Sequence, residues 1–284
     1  LSMTLSYDVN TGKAAPYSAL TIVSTAAWGL GYFGMPHILL RFMAIEDEKK
    51  LKLSRRVATI WVVISLFVAV FIGVIGYTMS KVGALEMLTG SNSETIIVKI
   101  SALLSQHGVI FALLAGVILA GILASTMSTS DSQLLAASSA VSSDILGAFR
   151  KDSSNKNGSM AAARITLLVI SVVAAFIARN PDSSVFAIVS FAWAGFGAAF
   201  GPVVLFSLFW KRTNKWGALA GMVCGGSMVF IWKYLIRPLG GIWNIYELLP
   251  AFLIACAAIV IVSLLTPKPS KEIEEEFDRV AQMK

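Results

Sequence analysis

Charged residues are scarce in this sequence of 284 amino acids. Asp, Glu, Lys and Arg together make up 14% of it, whereas apolar residues make up 56%. Soluble domains carry about 25% charged residues, and they do not contain repeated apolar runs long enough to cross a bilayer. The composition therefore excludes a soluble domain and predicts a multi-pass helical protein of the plasma or inner membrane.

Residues for metal binding and catalysis are also few. Cys224 and Cys256 both lie inside apolar runs, so they support neither a disulfide framework nor a metal site, and His37 and His107 show no ligand spacing. The sequence contains no Ser/His/Asp or Cys/His set, no phosphate-binding glycine loop and no paired membrane carboxylates. It therefore lacks the minimum equipment of an enzyme, and the prediction is a protein that binds and transports rather than one that catalyses.

Seven apolar segments each approach the roughly 20 residues that a membrane-spanning helix needs. A short amphipathic helix is expected between the second and third segments, at 94–104, and a polar helical extension is expected after the third, at 131–146. The transmembrane domain is predicted to cover 1–266 and a cytoplasmic helical tail to cover 267–284. The predicted spans are 19–45, 57–80, 108–130, 161–178, 184–210, 216–236 and 248–266.

Lysine and arginine are distributed unevenly among the links. Of the 23 basic residues, 17 lie in the links after spans one, three and five, in the span ends that adjoin these links, or in the C-terminal tail. The positive-inside rule then predicts an N-terminus outside and a C-terminus inside, and the basic excess indicates orientation and no nucleic-acid partner. No signal peptide precedes this outside N-terminus, so we expect at least one earlier span, in a longer protein of which this chain is the C-terminal part.

The first span is expected to be broken. Gly29, Gly31, Gly34 and Pro36 fall within eight positions at what should be the middle of the membrane. Irregular backbone at that depth is tolerated only where protein buries it or where it lines a cavity. A hydrophobic segment interrupted by Gly and Pro is the best sequence indication of a transporter's binding site.

Aromatic side chains accompany the predicted break. Trp28, Tyr32 and Pro36 recur every four residues, which places them on one face of a continuous helix, or near one another around a broken one. The positive N-terminus of a half-helix suits a carboxylate, and the flat aromatic rings offer apolar and cation–π surfaces to a small amine. The alternative is ordinary aromatic packing, with the glycines allowing close helix contact.

The third span carries a dense run of hydroxyl side chains. Ser125, Ser128, Thr129 and Ser132 share one helical face, and these oxygens together with a loosened carbonyl could hold Na⁺ without a carboxylate. Asp131 at the inner edge of the run either attracts a cation or is hydrated at the interface. The alternative, that these small residues only let helices approach and bond their own carbonyls, remains open.

Two later spans carry pairs of glycines four residues apart. Gly197 and Gly201 belong to a second glycine-rich stretch, 192–202, and Gly217 and Gly221 begin the next span. This spacing predicts close packing against neighbouring helices.

Three stretches of the sequence resemble the sodium–solute symporter family, in its proline-transporting branch. They are Trp-Gly-Leu-Gly-Tyr-Phe-Gly-Met-Pro-His at 28–37, Ala-Ser-Thr-Met-Ser-Thr-Ser-Asp-Ser-Gln at 124–133, and 192–206. The resemblance extends over essentially the whole chain. It implies an inverted-repeat transporter fold with two five-helix halves, of which this chain holds the second half and trailing helices.

The resemblance also implies a function and a set of site residues. The function is sodium-coupled symport of a small amino acid, with L-proline favoured, into the cell by alternating access. The substrate positions are Trp28, Tyr32 and Pro36, with Gly29 and Gly31 in the break between them. The Na⁺ ligands are the hydroxyls of Ser128 and Thr129 and the backbone carbonyl of Ser125.

The family's first broken helix is absent from the sequence. Because that helix supplies the remaining contacts, the resemblance implies that these residues hold about half of each site and do not transport alone. The expected partners are the missing N-terminal half of the same transporter, the lipid bilayer and the small solute.

Seven spans with an outside N-terminus are also typical of seven-helix receptors and sensors. The last span, Leu248 to Thr266, has no lysine for a retinal Schiff base and no Asn-Pro-x-x-Tyr turn, and the second internal link lacks an Asp/Glu-Arg-Tyr end. These absences argue against a receptor. A symporter of the same family for another small solute is the remaining alternative.

Overall fold

A computed structural model of the protein describes residues 5–8, 13–145, 156–179 and 184–282. Two short strands, β1 (Leu5–Asp8) and β2 (Lys13–Pro16), pair antiparallel before the first helix, with Leu5 opposite Pro16. The sequence predicts only a polar, turn-rich segment here. Strands of four residues are too short to show a periodic apolar pattern, which is why the hairpin was not predicted.

Helices account for nearly all of the remaining described structure. A short helix, α4, lies between the second and third predicted spans, as expected, and the polar extension of α5 stays helical and ends in a π-helical turn, Ala140–Ile145. The last predicted residue of that extension, Leu146, lies outside the described residues. The helices are α1 (Ala19–Ala26), α2 (Pro36–Met43), α3 (Leu51–Lys81), α4 (Ile96–Leu104), α5 (Val109–Ser139), α6 (Lys156–Ile177), α7 (Val185–Phe209), α8 (Lys215–Ile231), α9 (Leu248–Leu265) and α10 (Lys271–Gln282).

Among the described residues, six helices are long and apolar enough to cross a membrane. They correspond to the second through seventh predicted spans. The first predicted span is absent from this group because it is divided into α1, a 3-10 helix over Ala27–Gly34, and α2, each eight residues long. The all-helical membrane architecture is confirmed, and so is the break.

The chain divides into two compact units, which are described separately. The first unit contains Leu1–Met43 and Phe186–Lys284. Its core forms where α7, α8, α9 and the 3-10 helix meet, and its buried apolar members are Ala27, Met35, Trp193, Ala194, Ala198, Val229, Tyr246, Leu248, Ala251 and Phe252.

Glycines allow α8 to approach α9 closely. A side chain at Gly217 would collide with Ser263, and one at Gly221 would collide with Ile259. The predicted packing role of this glycine pair is therefore confirmed.

The glycine pair on α7 likewise lies at close contacts. Gly197 lies against the backbone of Gly31, and Gly201 lies against the ring of Phe252. The helix continues through Pro202, whose missing N–H leaves the Ala198 carbonyl without its usual helical donor.

Asn214 joins the start of α8 to the end of α9. Its side-chain oxygen accepts a hydrogen bond from the Gly217 amide at 2.8 Å, which caps α8. Its Nδ2 donates to Thr266 Oγ1 and to the Pro267 carbonyl, both at 2.7 Å. The following tail helix, α10, contacts the same region through an ion pair of 2.6 Å between Lys211 and Asp278.

The second unit, Ala44–Val185, contains α3 to α6. Gly76 of α3 lies against Ile96 of α4, and Ser138 of α5 donates to the Ala163 carbonyl of α6 at 2.8 Å. The most apolar 18-residue stretch of α3 contains no buried residue. Such an extended apolar surface requires lipid or further protein around it. The protein is a multi-pass membrane protein.

Candidate functional site

The break in the first span is a 3-10 helix of eight residues, Ala27–Gly34. Runs of 3-10 helix longer than about four residues are uncommon, because side chains three apart eclipse and the hydrogen bonds are poorly aligned. The backbone becomes extended at Met35, and Pro36 then begins α2 with a residue that needs no N–H partner. Irregular backbone is therefore found where the sequence predicts it.

Two glycines of this 3-10 helix are fixed by close packing on α7. A side chain at Gly31 would overlap the indole of Trp193, and one at Gly34 would overlap the backbone at Phe196 and Gly201. At Gly29, in contrast, no other described segment of the chain comes within 4 Å of the position that a side chain would occupy. Close helix packing thus explains Gly31 and Gly34, but it does not explain Gly29.

Trp28 is the centre of a group of aromatic rings, here called the Trp28 cluster: Trp28, Tyr32, Phe186, Trp193 and Tyr246. The ring of Trp28 stacks on Phe186 and on Trp193, both at 5.5 Å between centroids, and on Tyr246 at 6.0 Å. Trp193 also donates a hydrogen bond from Nε1 to the Trp28 carbonyl at 3.0 Å. These contacts fix Trp28 in a half-buried position.

Tyr32 and Trp28 do not share a face in the way a continuous α-helix would arrange them. At about three residues per turn, Trp28 lines up with Gly31 and Gly34, and Tyr32 is rotated away. Trp193 connects the two aromatic residues, because the Tyr32 ring meets it edge-on at 4.8 Å. Tyr32 is 51% exposed and Pro36 is exposed, so both remain accessible to a ligand.

A cavity of about 450 Å³ adjoins the Trp28 cluster, here called the Arg237 cavity. Ligand sites commonly measure roughly 300–1,000 Å³. Its walls combine aromatic rings with hydroxyl, amide and guanidinium groups. The lining residues are Leu20, Thr21, Ser24, Thr25, Trp28, Phe186, Ser190, Arg237, Asn244 and Tyr246.

Tyr246 supports one wall of this cavity. Its hydroxyl donates to the Ser190 carbonyl at 2.6 Å, and its backbone amide donates to the Ser24 hydroxyl at 3.1 Å. Burial raises the pKa of Tyr246, and the neighbouring Glu247 raises it further. The phenol therefore stays a neutral hydrogen-bond donor at physiological pH.

Arg237 contributes the only positive charge among the described residues that line the cavity. Its Nη1 donates to Glu247 at 2.9 Å and its Nε donates to Asn244 at 3.0 Å. The Glu247 side chain is 2% exposed, and a carboxylate buried to this extent needs a partner such as Arg237.

The hydroxyl run of the third span lies in the second unit, on α5. Thr129 Oγ1 donates to the Ser125 carbonyl at 3.2 Å, and Ser132 Oγ donates to the Ser128 carbonyl at 3.0 Å. All four residues are exposed. These bonds to carbonyls one turn earlier match the packing alternative, and they also hold two of the three predicted Na⁺ ligands, Thr129 and the Ser125 carbonyl, side by side.

Four aromatic or charged residues of the site were not predicted from the sequence: Phe186, Trp193, Arg237 and Tyr246. Phe186 and Trp193 could have been found, because with Ser190 they follow the four- and seven-residue spacing of one helical face on α7. Arg237 and Tyr246 lie in the link between the last two predicted spans. No sequence pattern relates them to Trp28, which is about 200 positions earlier.

Comparisons with known proteins match nearly all of this chain. A profile described as "Sodium:solute symporter family" matches residues 3–225. The chain is 41% identical to a sodium/proline symporter of Haemophilus influenzae over 92% of this chain and 51% of that protein. It is 39% identical to the osmoregulated proline transporter OpuE of Bacillus subtilis, over 89% of this chain and 50% of that protein.

A third relative, a sodium/proline symporter of Escherichia coli, is 39% identical over 91% of this chain and 50% of its own length. The chain thus spans about half the length of the curated relatives that it matches. No solved structure matches the chain. The broken first span, the membrane helices that follow it and a similarity covering nine tenths of the sequence lead to one conclusion: the chain belongs to the sodium:solute symporter family.

Proposed function

We propose that this chain forms part of a symporter that carries L-proline into the cell together with Na⁺, by alternating access. The observation that carries the proposal is the similarity to sodium/proline symporters over about nine tenths of the chain. The family is one of secondary transporters and not of enzymes. In the proposal Na⁺ is a co-transported substrate, and its binding favours the conformation that binds the solute.

In the proposal the solute binds at the 3-10 helix, against Trp28, Tyr32 and Pro36. The exposed Tyr32 ring and the half-buried Trp28 ring offer apolar surfaces to a pyrrolidine ring and a negative face to its ammonium group. The open space beside Gly29 leaves its backbone accessible. The close contact at Gly31 holds the 3-10 helix against Trp193 and so fixes the position of the site's backbone.

Sodium, in the proposal, is bound by the Ser128 and Thr129 hydroxyls and by the Ser125 carbonyl. Thr129 Oγ1 and the Ser125 oxygen already lie 3.2 Å apart. If the hydroxyl hydrogen turns away, both oxygens present lone pairs to one cation. Neutral oxygen ligands bind a monovalent cation weakly enough to release it inside the cell.

The proposed arrangement in the membrane follows the charge distribution and the family resemblance. The inverted repeat would contribute its second half here, with the N-terminus outside, transmembrane helices up to about residue 266 and a cytoplasmic tail over 267–284. The matched relatives extend beyond the part that aligns with this chain. In the proposal that further half and the surrounding lipid complete both sites.

The test is uptake of labelled L-proline into proteoliposomes that contain the complete transporter. An inward Na⁺ gradient should drive accumulation, and an equal K⁺ gradient is the control. Accumulation that is the same with K⁺ would contradict sodium coupling. A different amino acid that competes at lower concentration than unlabelled proline would make that amino acid the substrate, and the absence of any uptake would favour a sensor.

A further inference from the structure

The Arg237 cavity holds a guanidinium group with a free edge. Nη1 of Arg237 is engaged by Glu247 and Nε is engaged by Asn244. Nη2 makes no hydrogen bond to any of the residues that the structure describes. Because the Arg237 side chain lines the cavity and is 40% exposed, this nitrogen is available to a ligand.

The pairing with Glu247 shapes what the guanidinium can bind. Glu247 is nearly fully buried, and a buried carboxylate is costly unless it is paired and hydrogen-bonded. The pair also fixes the plane of the guanidinium group, because two of its three nitrogens are held. A preorganised donor of this kind loses little conformational entropy when an acceptor arrives.

The rest of the cavity suits a ligand with an apolar body and a polar end. Trp28 and Phe186 form a stacked aromatic wall, with 5.5 Å between their ring centroids. Thr21 and Thr25 add hydroxyl groups. A cavity of about 450 Å³ is ample for a single small amino acid.

We propose that the Arg237 cavity binds the carboxylate of the transported amino acid, with Nη2 of Arg237 as the donor, and that Trp28, which belongs to both the cavity and the proposed solute site, packs against the solute's apolar body. This inference rests on the proposed function, because it takes the transported solute as the ligand. Glu247 acts as a positioning residue, which orients Arg237 and reduces the net charge that the carboxylate meets.

The charge pair allows two variants with opposite expected effects. In Glu247→Gln the side-chain oxygen still accepts from Nη1, but Arg237 is no longer neutralised, so the KM for proline should fall about threefold. In the double variant Arg237→Gln with Glu247→Gln, no buried charge is left unpaired and the donor to the carboxylate is weakened. There the KM should rise about tenfold or more, with a smaller change in the maximal rate.

The measurement is sodium-driven proline uptake into proteoliposomes of the complete transporter, with prolinamide as competitor. Prolinamide lacks the carboxylate, so its inhibition constant should change by less than about twofold in the double variant. An unchanged KM for proline in the double variant would overturn the inference. So would a KM raised in both variants together with an equally weakened inhibition by prolinamide, since that pattern indicates a structural role. If the unmodified protein shows no sodium-driven uptake, the proposed function fails and this site fails with it.

Discussion

Replacing Gly34 by alanine should destabilise the protein, because the new methyl group has no space on α7. The atoms that it would meet belong to the backbone, the Phe196 carbonyl oxygen and the Gly201 nitrogen, so no side-chain rotation relieves the collision. Overpacking of this kind costs roughly 1–3 kcal/mol. Because alanine loses less backbone entropy than glycine when a helical segment folds, the substitution also stabilises the folded state by roughly 0.5–1 kcal/mol. The net expectation is a loss of about 0.5–2 kcal/mol of folding stability.

Gly29→Ala is the matched control, since Gly29 lies in the same 3-10 helix and no other described segment of the chain comes within 4 Å of the added methyl group. This change should leave the stability unchanged or raise it by about 0.5 kcal/mol. The assay is thermal unfolding of the complete, purified transporter in detergent. The quantity measured is the fraction of protein that remains monodisperse after heating to each temperature. A Gly34→Ala protein as stable as the Gly29→Ala protein would refute the close approach of the broken span to α7.

Three further predictions concern the solute, the cation and the orientation in the membrane. Trp28→Ala should raise the KM for proline about tenfold in uptake assays, since roughly 1.4 kcal/mol of lost contact corresponds to a factor of ten; wild-type kinetics would instead support a pure packing role. Thr129→Val should raise the Na⁺ concentration for half-maximal uptake severalfold, whereas Thr126→Val, which loses a hydroxyl bonded to the Ile122 carbonyl, should not. The reverse result would mean that the other face of α5 binds Na⁺. Cysteines introduced at positions 54 and 91, in a background without native cysteines, should react with impermeant reagents from opposite sides of the membrane, and labelling from one side only would contradict the topology.

The sequence by itself determined the membrane helices and the position of the break. Both depend on local properties: the length of an apolar run sets a span, and Gly29 to Pro36 disfavour a continuous helix whatever surrounds them. The packing role of Gly217 and Gly221 was also predictable from local sequence. Two glycines four residues apart leave one face of a helix without side chains, so a neighbouring helix can approach it closely. The hydroxyl run on α5 was likewise visible as a pattern, although its cation binding stays a prediction.

Only the tertiary structure decided how the broken span is used. The sequence spacing left open whether Trp28 and Tyr32 share one face of a continuous helix or lie near one another around a break. In the 3-10 helix they do not share a face, and both rings contact Trp193. The Arg237 cavity arises from contacts between segments about 200 positions apart, since residues 20–28 and 237–246 both line it. Such contacts depend on which helix faces pack together, and neither hydropathy nor periodicity carries that information for residues in links.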